Sequence, residues 1–212
     1  MHDALVDLVG YLVERETNLL QQYGKGDHWA RDRVADRFIP INEGVIPHAA
    51  RACPQRGDIF GYSRQWMFLP APTDGPLRIP VLNVLWWRDA EPHRVSYQIA
   101  VFYPCREDEP LARVWRFESP EGADSIHGYF HAQPGHALRT SRGDIEVPTA
   151  DPKIPQGAPT IPVDADGELE LFVALLVAVY GLREAADLIA GVGNPRVSAC
   201  LRAMRSAQAT GA

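Results

Sequence analysis

The chain has 212 residues, enough for one domain with a sizeable core. An apolar fraction of 46% and a charged fraction of 23% are those of an ordinary globular protein, and exclude a fibrous or low-complexity chain. A net charge of −6 and a pI near 5.6 disfavour general nucleic-acid binding, which draws on a basic excess or stripe.

Cys53, Cys105 and Cys200 are far apart, odd in number and without a C-x-x-C, so neither a zinc ribbon nor a disulfide framework is indicated. A reducing cytoplasm suits them. The first residues, MHDALVDLVGYLVERE, carry acids where a secretory leader needs basic residues. The longest apolar run, 169–182, is too short for a bilayer and contains Glu170. No membrane association, cofactor or metal is expected.

In chain order, residues 3–23 predict a helix, because Leu5, Leu8, Val9, Leu12 and Val13 recur at helical spacing. Gly24-Lys25-Gly26 ends it. Residues 27–57 read as irregular, broken by Pro40, Pro47 and Pro54, with a short helix around 45–53. From residue 58 the pattern turns to strand: 58–62, 65–69, 80–87, 94–103, 112–117 and 126–133. The segments between are rich in Pro, Gly, Asp and Glu, as turns are. Strands that follow one another without helices between them predict an antiparallel meander. Residues 134–168 form a long Pro-rich connection with one short strand at 144–147. The C-terminal part is helical: an apolar helix up to Gly181, a continuation over 182–189, and a third helix from Pro195 to about Met204, capped by Asn194.

The expected fold is therefore one α+β domain over 1–212, an antiparallel sheet of five to six strands with N- and C-terminal helices packed on it. Its parts are a helical and irregular 1–57, a sheet over 58–133, the connection 134–168 and helices over 169–206.

The titratable groups that invite a functional question lie around the predicted hairpin 113–133, RVWRFESPEGADSIHGYFHAQ. His127 and His131 would share one face of a helix. The aromatic composition instead favours a strand, where they lie roughly 13 Å apart at about 3.3 Å per residue, too far to ligate one zinc. On that strand His127, Tyr129, His131 and Gln133 line one polar face, and Arg116 and Glu118 join it if the hairpin register allows. Its bland reading is a covered or solvated sheet layer; its sharper one is a binding surface. Trp29, beside Arg31 and Arg33, is a candidate interface anchor. Asp144 and Glu146 form a D-x-E pair such as metal nucleases use, a spacing that also arises by chance. No G-x-S-x-G, Walker A, G-x-G-x-x-G or H-E-x-x-H pattern occurs.

Trp115-Arg116-Phe117-Glu118, His127 and His131, Lys153-Ile154-Pro155, and Leu171-Phe172 through Tyr180 together form a pattern over about the last hundred residues. In this order of elements the chain resembles a domain-of-unknown-function family of bacterial proteins, often encoded on mobile elements. The resemblance implies no reaction. It implies an accessory role in a multi-protein system such as phage defence, with partners encoded nearby. The expected function is a non-catalytic binding or assembly subunit, with self-association left open. The alternative is a metal-dependent nuclease or phosphodiesterase using His127 or His131 with Asp144 and Glu146.

Overall fold

The computed structural model describes residues 2–23, 67–75, 78–87, 94–103, 111–121, 128–135, 137–140, 143–146 and 160–210. Helix α1 runs His2–Tyr23. Strands β1 (Met67–Phe68), β2 (Ile79–Trp87), β3 (Arg94–Tyr103), β4 (Leu111–Glu118) and β5 (His131–Gly135) follow. Next come β6 (Ala137–Thr140), β7 (Gly143–Glu146), β8 (Ile161–Pro162), α2 (Glu168–Ile189) and α3 (Pro195–Thr210). The strand order β1-β2-β3-β4-β5-β8 makes one sheet, antiparallel at every pairing, and β6 pairs with β7 as a separate ribbon. This is the α+β architecture that the order of elements predicts.

One face of the sheet carries Leu82, Val84, Val95, Tyr97, Ile99, Val101, Phe117 and Ala132, and it joins the helices in one apolar cluster. On α1, Leu5, Leu8, Val9 and Leu12 fall at i, i+3, i+4 and i+7, and all are buried. On α2, Leu169, Leu171, Phe172, Leu175 and Leu176 are fully covered, as its nearly all-apolar sequence demands. Tyr97 pins sheet to helix. Its ring meets Phe172 edge-on at 5.1 Å, and its hydroxyl donates to the Glu168 carbonyl at 3.0 Å. Burial, and then the charges of Glu168 and Glu170, push its hydroxyl well above the ordinary tyrosine range.

Helix α2 breaks at Gly181, with φ 78° and ψ 160°. That conformation is open to glycine and costly to other residues, which is why the apolar run divides there. Asn194 caps α3: its Oδ1 accepts from the Arg196 amide at 3.0 Å, with Pro195 at the first helical position.

Three expectations need correction. The return strand of the hairpin begins at His131 rather than at 126, because Gly128-Tyr129-Phe130 bends before the pairing with β4 starts. The segment 134–168 holds more regular structure than its prolines suggest: β5 continues to Gly135, β6 and β7 form a ribbon, and β8 rejoins the sheet. Helix α3 runs on to Thr210, six residues past Met204, since Ala and Arg there are good helix formers. The predicted elements at 45–53 and 58–62 lie outside the described residues.

Candidate functional site

The opposite face of the sheet is where the polar residues gather. Register places Asn83, Gln98, Arg116 and Gln133 in one row across β2, β3, β4 and β5. The adjoining row holds Ser96, Glu118 and His131. These positions alternate with the apolar residues of the helix-packed face, as strand geometry requires. Asn83, Ser96, Gln98 and His131 are buried, and Arg116, Glu118 and Gln133 are half-buried. Beyond the polar rows the same face turns apolar, with Val81, Ala100, Phe102, Ala112 and Val114 all buried.

Glu118 is the hub. Its Oε1 accepts from Ser96 Oγ at 2.9 Å, and its Oε2 accepts from Gln133 Nε2. Arg116 Nη1 lies 3.9 Å from Oε1, two residues away on the same strand face. His131 Nε2 stands 3.5 Å from Oε2. The other ring nitrogen, Nδ1, donates to the Tyr129 carbonyl at 2.9 Å. Both imidazole nitrogens thus face oxygen atoms of the protein. A half-buried carboxylate sits well in a fold when hydrogen bonds fill its lone pairs. Here Ser96 and Gln133 fill them.

The chemistry open to this arrangement is narrow. His131 is 1% exposed, so it touches no substrate in this conformation. A metal ligand needs a free ring nitrogen, and both of its nitrogens are turned to protein oxygens. Among the described residues no group of three His, Cys, Asp or Glu side chains is placed to hold a metal. Cys200 is half-buried, and burial followed by the Glu170 charge pushes its thiol upward, away from the thiolate that nucleophilic chemistry uses.

The candidate residues separate as follows. Arg116, His131 and Gln133 come together around Glu118. Tyr129 does not share their strand. It sits in the bend before β5, its ring edge-on to His131 at 5.7 Å and its hydroxyl 2.7 Å from Thr160 Oγ1. Asp144 and Glu146 lie on β7, in the ribbon with β6, which lies against β3. Trp29, Arg31, Arg33 and His127 lie outside the described residues. The sequence reading missed Ser96, Gln98 and Asn83. Their signal was present: Ser96 and Gln98 interrupt an otherwise apolar strand at i and i+2, and Asn83 interrupts VLNVLWW in register with Gln98.

The large hydrophobic side chains that stay exposed among the described residues are Tyr129 and Ile161, at 39% and 51%. Both stand at the β5–β8 edge of the sheet. Ile161 pairs with Ala132, while Tyr129 reaches Thr160 across the edge from the His131 side. No helix among the described residues is long and apolar enough to cross a membrane.

No protein-family model matches the chain, and neither the curated proteins nor the solved structures contain a match.

Proposed function

We propose that this chain is a non-catalytic binding subunit of a multi-protein assembly, and that it docks a partner protein through the β5–β8 edge. The observation that carries this reading is the exposed pair Tyr129 and Ile161 on a sheet edge that cannot simply accept another strand. Val163 N donates to the Phe130 carbonyl at 2.9 Å, so the alternation of antiparallel pairing turns the backbone of Pro162 outward. Proline has no N–H to offer a further strand. A partner therefore meets this edge with side chains: Tyr129, an aromatic of the kind that anchors interfaces, on the His131 side, and Ile161 on the side of its pairing partner Ala132. The closed Glu118–His131 network supports the same reading, since its hydrogen-bonding groups are turned to one another. The setting we propose, an accessory role in a defence system with partners encoded nearby, rests on the resemblance of about the last hundred residues to a domain-of-unknown-function family of bacterial proteins.

The test is co-purification of the tagged chain, expressed with the products of adjacent genes, as wild type and as Tyr129→Ala with Ile161→Asp. A stoichiometric complex that the double variant loses, with its far-UV spectrum unchanged, is the expected result. A complex that survives the substitutions removes this edge from the interface. Absence of any complex with every neighbour removes the reading.

A further inference from the structure

The surface of α3 is unlike the rest of this acidic chain. Residues 195–210 contain Arg196, Arg202 and Arg205 and no acid. Val197 and Met204 are buried and Leu201 packs against the core, so one side of the helix faces inward. All three arginines are exposed on the remaining surface, together with Ala199 and Ala203. Immediately before and within the first turn of α2 stands the reverse: Asp164, Asp166, Glu168 and Glu170, with no basic residue from 160 to 170. Asp164 and Asp166 are exposed. The two patches abut, because Arg196 Nη2 lies 3.7 Å from Glu170 Oε1.

Adjacent patches of opposite sign are complementary to themselves under a two-fold rotation. Arg196 marks the N-terminal end of α3, beside the acidic strip, and Arg202 and Arg205 lie toward the other end. When two copies lay α3 antiparallel to α3, the arginine-bearing half of each helix comes against the acidic strip of the other. The pairing then occurs twice. Ala199 and Ala203, at the middle of the exposed side, put no bulk between the crossing helices. We infer that this face binds a second copy of the same chain, as an antiparallel α3–α3 pair held by reciprocal contacts of Arg202 and Arg205 with the 164–170 strip. This face and the β5–β8 edge involve different residues, so a homodimer leaves Tyr129 and Ile161 available to another protein.

A helix of 16 residues is ~24 Å long, which places the contact among small, salt-sensitive interfaces. Sedimentation velocity on the full chain tests it, in about 0.1 M and about 1 M salt, between which the screening length falls from ~10 to ~3 Å. At low salt the expected behaviour is a concentration-dependent shift from the 23.5-kDa chain to twice that mass. High salt raises the dissociation constant about tenfold or more. Arg202→Glu with Arg205→Glu, and separately Asp164→Arg with Asp166→Arg, each raise it by about as much in low salt. An equimolar mixture of the two variants regains the dimer, because every repelling pair becomes an attracting one. A wild-type chain that stays monomeric to about 1 mM, the weak end of specific binding, overturns the inference. So does a dimer indifferent to salt, a dimer that either pair of substitutions leaves intact, or a mixture that fails to reassociate. The four positions are exposed, and the salt arm uses the unaltered chain, so the outcome does not hang on the folding of a variant.

Discussion

Glu118 shows how one residue sets the character of a whole sheet face. Its carboxylate accepts from Ser96 and Gln133 and stands opposite His131, so the loss of Glu118 takes a contact from three side chains at once. The cost of a stranded buried polar group is about 1–3 kcal/mol. His131→Ala is expected to lower stability by about 2–4 kcal/mol, the stranded Tyr129 carbonyl adding to the space left by the ring. Glu118→Ala takes the acceptor from Ser96 and Gln133 and the facing carboxylate from His131, and costs at least as much. The double variant is less damaged than the two costs added, with a coupling of about 1–3 kcal/mol. Urea midpoints for the two single variants and the double variant check this. Additive costs would mean that Glu118 and His131 do not interact. A residue so placed is legible only in part from sequence. Polar residues at i and i+2 in an apolar strand announce a polar row on one face. What decides that Glu118 meets His131, rather than a residue two places along, is the length and bend of the segment ahead of β5. Tyr129 shows the limit of alternation. It reads as the next polar position on a strand, but Gly128-Tyr129-Phe130 bends, and the ring serves the sheet edge instead.

At the scale of elements, the junctions carry the specificity. The strands were readable because the turn-rich segments between them left few other pairings. The division of α2 was readable because glycine alone among the residues there accepts φ 78° and ψ 160°. The small strands β6, β7 and β8 were less so, since four residues or fewer give no periodicity to read and their pairing depends on distant partners. Gly181→Ala meets no steric obstacle, with nothing within 4 Å of the added carbon. Its cost is therefore backbone strain of about 1–3 kcal/mol, visible as a lower urea midpoint with an unchanged slope. Gly191→Ala fails differently, by overlap of the new carbon with the Tyr11 side chain, so truncating Tyr11 relieves it while leaving Gly181→Ala unrelieved. The Tyr97 junction adds a pH signature. Its hydroxyl is held protonated in the fold above the ordinary value of 10.0, whereas in the unfolded chain it ionises there. Its contribution is fully present below pH 10 and is lost as pH rises through the folded value, at about 1.4 kcal/mol per pH unit. Tyr97→Phe lowers the unfolding free energy at pH 8 by about 1 kcal/mol for the lost bond to the Glu168 carbonyl. It also flattens the decline between pH 10 and 11. An equal alkaline decline in both chains would show that Tyr97 ionises freely in the fold.

For the whole molecule the question is how a six-stranded sheet ends without recruiting more strands. Sheet edges are templates for aggregation unless they are short, charged, bulged or interrupted by proline. Here β1 and β8 have two residues each. At β8 the pairing of Ala132 with Ile161, and the bond from Val163 to the Phe130 carbonyl, fix which residue faces out, and it is Pro162. That proline lets Ile161, which is half exposed, serve an interface without seeding an open-ended sheet. Pro162→Ala restores an outward N–H at this point and should barely change stability, because the lost ring constraint is worth only about 0.4–1 kcal/mol. It should nevertheless make the protein aggregate faster on mild heating, with thioflavin fluorescence rising where the wild type stays flat. Adding Ile161→Asp to Pro162→Ala should abolish that rise, because a charge beside the new donor blocks stacking of the edge. If Pro162→Ala stays as soluble as the wild type, strand addition at β8 is prevented by something other than the missing donor. The side-chain mode of docking assigned to this edge would then lose its physical basis.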